Sequence, residues 1–166
     1  MNTKIYASQD YVDNAIINGI NKWELITDIT VDEWTQSVTI NQDSEGNAFS
    51  LKKMDIFMTL PASTLEDGTD VDNVGYALYD VNGARPAYQS PSSDWENASF
   101  YWQIEARGDY YVVHCFKDGG TNMTLFHEDV YMNVGKFETI TSFTWRVFNN
   151  TMGFAGATFK VYGIRA

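Results

Sequence analysis

The stretch Phe100-Tyr101-Trp102-Gln103-Ile104-Glu105-Ala106-Arg107-Gly108-Asp109-Tyr110-Tyr111-Val112-Val113-His114-Cys115-Phe116 decides the fold class of this chain. Phe100, Trp102 and Ile104 alternate with Tyr101, Gln103 and Glu105. Beyond Arg107-Gly108-Asp109, Tyr111, Val113 and Cys115 alternate with Val112, His114 and Phe116. A period of two sends successive side chains to opposite faces of an extended strand. Gly and Asp between two such runs suit a tight turn, so the segment reads as a β-hairpin.

The same period recurs on both sides of it. Val38 and Ile40 alternate with Thr39 and Asn41, and Met54, Ile56, Met58 and Leu60 with Asp55, Phe57 and Thr59. Val74, Tyr76 and Leu78 follow, then Phe143, Trp145 and Val147, then Phe159, Val161 and Gly163. Turn chemistry separates the runs at Ser44-Glu45-Gly46-Asn47, Asp118-Gly119-Gly120 and above all Asn82-Gly83, whose residues both tolerate φ > 0. Roughly eight to ten short strands with regular turns imply a sandwich or barrel. No further helical period appears, which argues against βαβ units. The expectation is an all-β, jelly-roll-like β-sandwich over residues 23–166, with Trp102, Trp145, Phe100, Phe143 and Phe159 in its core.

The first 22 residues read differently. Ser8 is a good N-cap and Asp10 suits the positive end of a helix dipole. Val12, Ile16, Gly19, Ile20 and Trp23 share one face at helical spacing, and Gly19 and Asn21 weaken the end. One short N-terminal α-helix is therefore expected in residues 1–22. About three turns are marginal alone in water, so the stripe must pack on its own domain, on copies of itself or on another protein. Val12, Ile16, Ile20 and Trp23 are the candidate oligomerisation or docking residues.

The chain carries 22 acidic against 11 basic residues, a formal net charge of −11. That balance excludes a nucleic-acid partner and an anionic membrane surface as expected ligands. No apolar run is long enough to span a bilayer, so no membrane insertion is expected. A polar N-terminus gives no sign of a secretory leader, which places synthesis in a cytoplasm. With one cysteine, Cys115, the fold is held by its core and not by a disulfide.

Catalytic and metal signatures are weak throughout. His114 and Cys115 are neighbours, but neighbours on a strand point to opposite faces, and a free Cys is commonly a small buried hydrophobe. His114 and His127 form no metal-ligand motif, and His127-Glu128-Asp129 suits a polar strand segment. Glu66, Asp67, Asp70 and Asp72 could supply oxygens to Ca²⁺, yet their spacing is not the EF-hand pattern, and a solvated loop explains them. Arg107-Gly108-Asp109 matches a tripeptide that integrins recognise, but a turn wants the same residues. Nothing singles out a carboxylate pair of the kind glycoside hydrolysis needs. No metal, no cofactor and no enzymatic activity are expected. Tyr88 and Trp95 differ from the strand aromatics, since they lie in polar loop segments; such rings stack on sugars or anchor interfaces, and these two are the candidate ligand contacts.

Ala7-Ser8-Gln9-Asp10-Tyr11-Val12-Asp13-Asn14-Ala15-Ile16 resembles a segment near the start of many tailed-bacteriophage fibre and appendage proteins. Phe159-Lys160-Val161-Tyr162-Gly163-Ile164 is similar to the last strand of phage β-sandwich tips. The resemblance implies a homotrimer in the virion, made in the host bacterial cytoplasm, whose helix leads into a β-rich tip. The chain lacks a repetitive shaft, which favours a compact head fibre, decoration protein or tail-tip module. Its expected partners are sister chains, other virion proteins and a host-surface glycan. A free-standing carbohydrate-binding module is the alternative, and a glycan-degrading enzyme the third reading.

Overall fold

A computed structural model describes residues 22–62, 64–69, 76–84, 90–91, 98–118, 122–147 and 153–166. The expected helix with Val12, Ile16 and Ile20 lies outside the described residues, as do Tyr88, Trp95, Asp70 and Asp72.

The described regular structure is all β. Ten strands follow one another: β1 (Glu24–Thr30), β2 (Ser37–Ile40), β3 (Leu51–Thr59), β4 (Tyr76–Val81), β5 (Ser90–Pro91), β6 (Ser99–Ala106), β7 (Gly108–Asp118), β8 (Met123–Phe137), β9 (Phe143–Val147) and β10 (Thr158–Arg165). They form two sheets, one in the order β1-β10-β3-β6-β7-β8 and one in the order β2-β9-β4-β5. Every pairing is antiparallel.

The sheets share one core. Met54, Ile56 and Met58 of β3, Phe100, Trp102 and Ile104 of β6, Tyr111, Val113 and Cys115 of β7, and Phe159 and Val161 of β10 bury the inner face of the larger sheet. Tyr79 and Val81 of β4 and Phe143, Trp145 and Val147 of β9 answer from the smaller one. Trp102 packs its ring 5.1 Å from Tyr79 and 5.7 Å from Phe143, across the two layers. All five aromatics expected in the core are at most 1% exposed.

Three of the expected turns fall in the described residues and form there, at Arg107–Asp109, Asn82-Gly83 and Ser44–Asn47. Arg107 N–H donates to the Tyr110 carbonyl at 2.9 Å, and Gly108 takes φ 80°. Asp109 is spent on the fold as well, accepting the Gly135 N–H at 3.1 Å, so Arg107-Gly108-Asp109 acts here as turn chemistry. Asn82 and Gly83 both have positive φ, 52° and 69°, as a tight hairpin turn requires. Asp43 closes the Ser44–Asn47 turn by accepting from the N–H groups of Glu45 and Asn47.

Two strands escape the alternation rule. β8 is the longest and forms an edge of the larger sheet, and a register shift between Cys115 and Phe116 of its partner breaks its period. β1 carries a similar irregularity between Leu25 and Thr27. A bulge inserts one residue and swaps the faces beyond it, which hides the strand from a period-two reading.

Candidate functional site

The outer face of the six-stranded sheet is not an ordinary polar surface. Cross-strand partners share a face, so the register assembles side chains into rows. One row runs Lys160, Phe57, Tyr101, Phe116, Leu125 from β10 to β8. The next runs Tyr162, Asp55, Gln103, His114, Glu128, and the third Lys53, Glu105, Val112, Val130.

The first row is an aromatic ridge. Phe57 and Tyr101 stack at 4.7 Å with 15° between their planes, and Tyr101 and Phe116 at 5.9 Å with 25°. Tyr162 meets Phe57 edge-on at 6.1 Å. The stacked rings spend their faces on one another, so the ridge is a rigid wall whose exposed part is ring edge, with Phe57 still 46% exposed.

Beside the ridge lies an open groove of about 270 Å³, lined by Trp23, Lys53, Asp55, Gln103, Glu105, Arg107, Val112 and His114. That is slightly below the size at which enclosed small-molecule pockets begin, as suits a groove on a sheet face. Trp23, 39% exposed, is the large aromatic of its lining.

The polar side chains are tied to each other. Gln103 Nε2 donates to the Tyr101 hydroxyl at 2.8 Å, and that hydroxyl donates to Asp55 Oδ2 at 2.5 Å. Arg107 Nη2 reaches Glu105 Oε2 at 2.8 Å, and Lys53 Nζ stands 3.5 Å from Glu105 Oε1. His114 Nε2 lies 3.8 Å from Glu128 Oε1. Burial raises the Asp55 carboxyl above its ordinary value, against the opposing pull of the Tyr101 hydroxyl and the Lys53 charge. Burial and the adjacent Asp55 push the Tyr101 phenol up to about 12. Glu105 moves the other way, held down chiefly by the Arg107 hydrogen bond.

The remaining candidates separate. His114 faces the groove and Cys115 the core, as alternation requires. In register Cys115 pairs with His127; burial pushes the thiol up, away from the reactive thiolate, and pushes the imidazole down. Among the described residues no group of three or more His, Cys, Asp or Glu could hold a metal ion. Asp67 of the acidic loop accepts the Thr69 N–H at 2.9 Å, an Asx-type turn.

Trp23, read from the sequence as part of a docking stripe, is the one of the four docking candidates that falls in the described residues, and it lines the groove. Asp55, Tyr101, Gln103, Glu105 and His114 stood in the sequence as the outward halves of alternating strands. The signal that marks them is an aromatic at the outward position of three strands that turn out to be adjacent, Phe57, Tyr101 and Phe116.

No family model and no curated protein matches the chain. Among solved structures, it is similar to the CBM2 module of an evolved Dit of Lactobacillus casei BL23 phage J-1, at 13% identity and a TM-score of 0.22, over 86% of this chain and 77% of that one. A superposition at that level does not establish a common fold.

Proposed function

We propose that this chain is a carbohydrate-binding β-sandwich of a bacteriophage virion appendage, a head fibre, decoration protein or tail-tip module. The observation that carries the binding reading is the groove that Trp23, Asp55, Gln103 and His114 line together beside an aromatic wall. An exposed ring offers a face to the C–H surface of a sugar, and planar polar side chains at fixed strand spacing meet its hydroxyls. The test is a glycan array probed with the wild type and with Trp23→Ala. The variant should lose array signal while keeping its circular dichroism, and an unchanged signal would overturn the assignment of the groove.

The strand order supports a jelly roll. The orders β1-β10-β3-β6 and β2-β9-β4-β5 make two four-stranded sheets, and the β7–β8 hairpin is added beyond β6. The virion role rests on the resemblance of residues 7–16. In this reading segment 1–22 docks the domain, the chain is a homotrimer, its partners are other virion proteins and a host-surface glycan, and the site needs no metal or cofactor. Ile16→Asp should lower the oligomer mass in light scattering, and an unchanged mass would remove the helix from assembly. A free-standing module would instead be a monomer that binds glycan and is absent from purified particles.

One observation favours a hydrolase as the second reading. Asp55 and Glu105 share the groove, and their environments push them in opposite directions, as an acid and its partner carboxylate require. Glu105 is nevertheless clamped by Lys53 and Arg107, which suits a structural anion better than a nucleophile or base. Binding without catalysis is therefore the proposal. Release of reducing sugar from a bound glycan by the wild type, lost in Asp55→Asn, would reverse it.

A further inference from the structure

We infer that the groove beside Trp23 is built for an uncharged glycan, a neutral hydroxyl-rich chain and not a uronate, sialylated or phosphate-bearing one. This rests on the carbohydrate reading above and narrows it.

The charges of the groove are spent on one another. Its lining carries two cations, Lys53 and Arg107, and two carboxylates, Asp55 and Glu105. Both cations lie against Glu105, at 3.5 Å and 2.8 Å. Asp55 takes the Tyr101 hydroxyl and also feels the Lys53 charge. The four formal charges cancel, and each cation already has an anion beside it. A ligand anion would have to share Arg107 and Lys53 with Glu105, and it would do so on a chain of net charge −11. Burying a charge without a fresh partner is unfavourable, so the groove selects against it.

The hydrogen-bond direction points to the same class. In the relay from Gln103 through Tyr101 to Asp55, the Tyr101 donor and one Gln103 donor are already used. What the relay offers a ligand is mainly acceptor, the Asp55 carboxylate and the Gln103 carbonyl oxygen. Acceptors of that kind are met by hydroxyl donors. A carboxylate or phosphate monoanion brings acceptors of its own and would face them without a proton between.

The experiment uses the full chain on an array holding neutral oligosaccharides next to uronate, sialylated and phosphorylated ones. The best binder is then titrated by calorimetry at about 50 mM and about 500 mM NaCl, a range over which exposed ion pairs are screened out. The expected result is binding confined to neutral glycans, with an affinity that changes less than about two-fold across the salt range. Binding led by anionic glycans, with affinity falling steeply in salt, would overturn this inference and leave the carbohydrate reading standing. No binding to any glycan would overturn the carbohydrate reading and the inference with it. Glu105→Gln supplies a positive control of the logic, because it removes the anion that two cations share. That variant should gain salt-sensitive binding to oligogalacturonate that the wild type lacks, and if it gains none the charge-cancellation argument is wrong.

Discussion

The Tyr79 hydroxyl, on β4 of the smaller sheet, donates to Asp129 Oδ2 on β8 of the larger sheet at 3.1 Å. The bond crosses the sandwich and ties down the β7–β8 hairpin, which extends the larger sheet beyond β6. Burial, and after it the neighbouring Tyr111 and Asp129, raises the Tyr79 phenol, so it stays a donor at every working pH. Tyr79→Phe keeps the ring against Trp102 and leaves Asp129 without this donor. The expected loss is about 1–3 kcal/mol in urea unfolding, the cost of an unmet, partly buried hydrogen-bonding group. Glycan affinity should not change, because Tyr79 faces the core and the groove lies on the opposite face.

Asn82 does more than turn the chain. Its Oδ1 accepts from the N–H groups of Thr141 and Ser142 at 2.8 and 3.2 Å, and its Nδ2 donates to the carbonyls of Thr139 and Lys136 at 2.7 and 3.1 Å. One side chain therefore pins the β4 turn to the connection between β8 and β9. Asn82→Gly keeps the positive φ and loses every one of these bonds. It should cost about 2–4 kcal/mol, several bonds at about 1 kcal/mol each less the relief of strain at φ 52°. Asn82→Asp keeps the acceptor half but sets a carboxylate oxygen against the Thr139 and Lys136 carbonyls, so it should gain little over Asn82→Gly in midpoint denaturant concentration. Equal stability of Asn82→Gly and wild type would reduce the residue to a turn former.

How much of this was legible follows from what alternation can report. Phe100, Trp102, Phe143, Trp145 and Phe159 sit in the core where their spacing places them, because an unbroken strand converts sequence parity into a face. β8 was legible only at His127-Glu128-Asp129: it is an edge strand whose Met123, Leu125, Val130, Met132 and Val134 are exposed, and its bulge breaks the period. The groove was half legible. The outward residues Asp55, Phe57, Tyr101, Gln103 and His114 could be read from parity, but that β3, β6 and β7 lie side by side is a fact of topology. Parity says which face a residue takes and nothing of its neighbour across the strand. The turn role of Asn82 was readable in Asn82-Gly83, whereas its bonds to residues 136–142 depend on a contact more than fifty positions away.

Cys115 is fully buried between Trp102 and His127 in register, and burial pushes its thiol up. The thiolate is the reactive form, so native protein should not react with Ellman's reagent during the time in which urea-unfolded chain reacts completely. Cys115→Ser should lower stability, since it puts a hydroxyl into an apolar site, and leave glycan binding intact. Rapid labelling of the native thiol would reopen a chemical role for the inner face.

Asp55 links stability and binding through one proton. Its folded-state carboxyl is raised above the ordinary value of 3.8, mainly by burial, so the ionised form is less favoured folded than unfolded. The stability that this group contributes is fully present below the unfolded value, where both states hold the proton, and is lost as pH rises through the folded value. Asp55→Asn cannot ionise and still accepts the Tyr101 hydroxyl through its amide oxygen. Its stability relative to wild type should therefore increase as pH is raised from roughly 3 towards 7, measured as the difference between urea unfolding curves. Taking the difference cancels Glu105 and Asp43, whose lowered carboxyls act with the opposite sign. A flat difference would mean that solvent reaches Asp55 as freely folded as unfolded. Binding should titrate over the same range: wild-type affinity for a neutral glycan falls as acid protonates Asp55 and removes a carboxylate acceptor. The Asn variant, weaker at neutral pH, should show no such fall, and a fall of equal size in both would move the pH dependence away from Asp55.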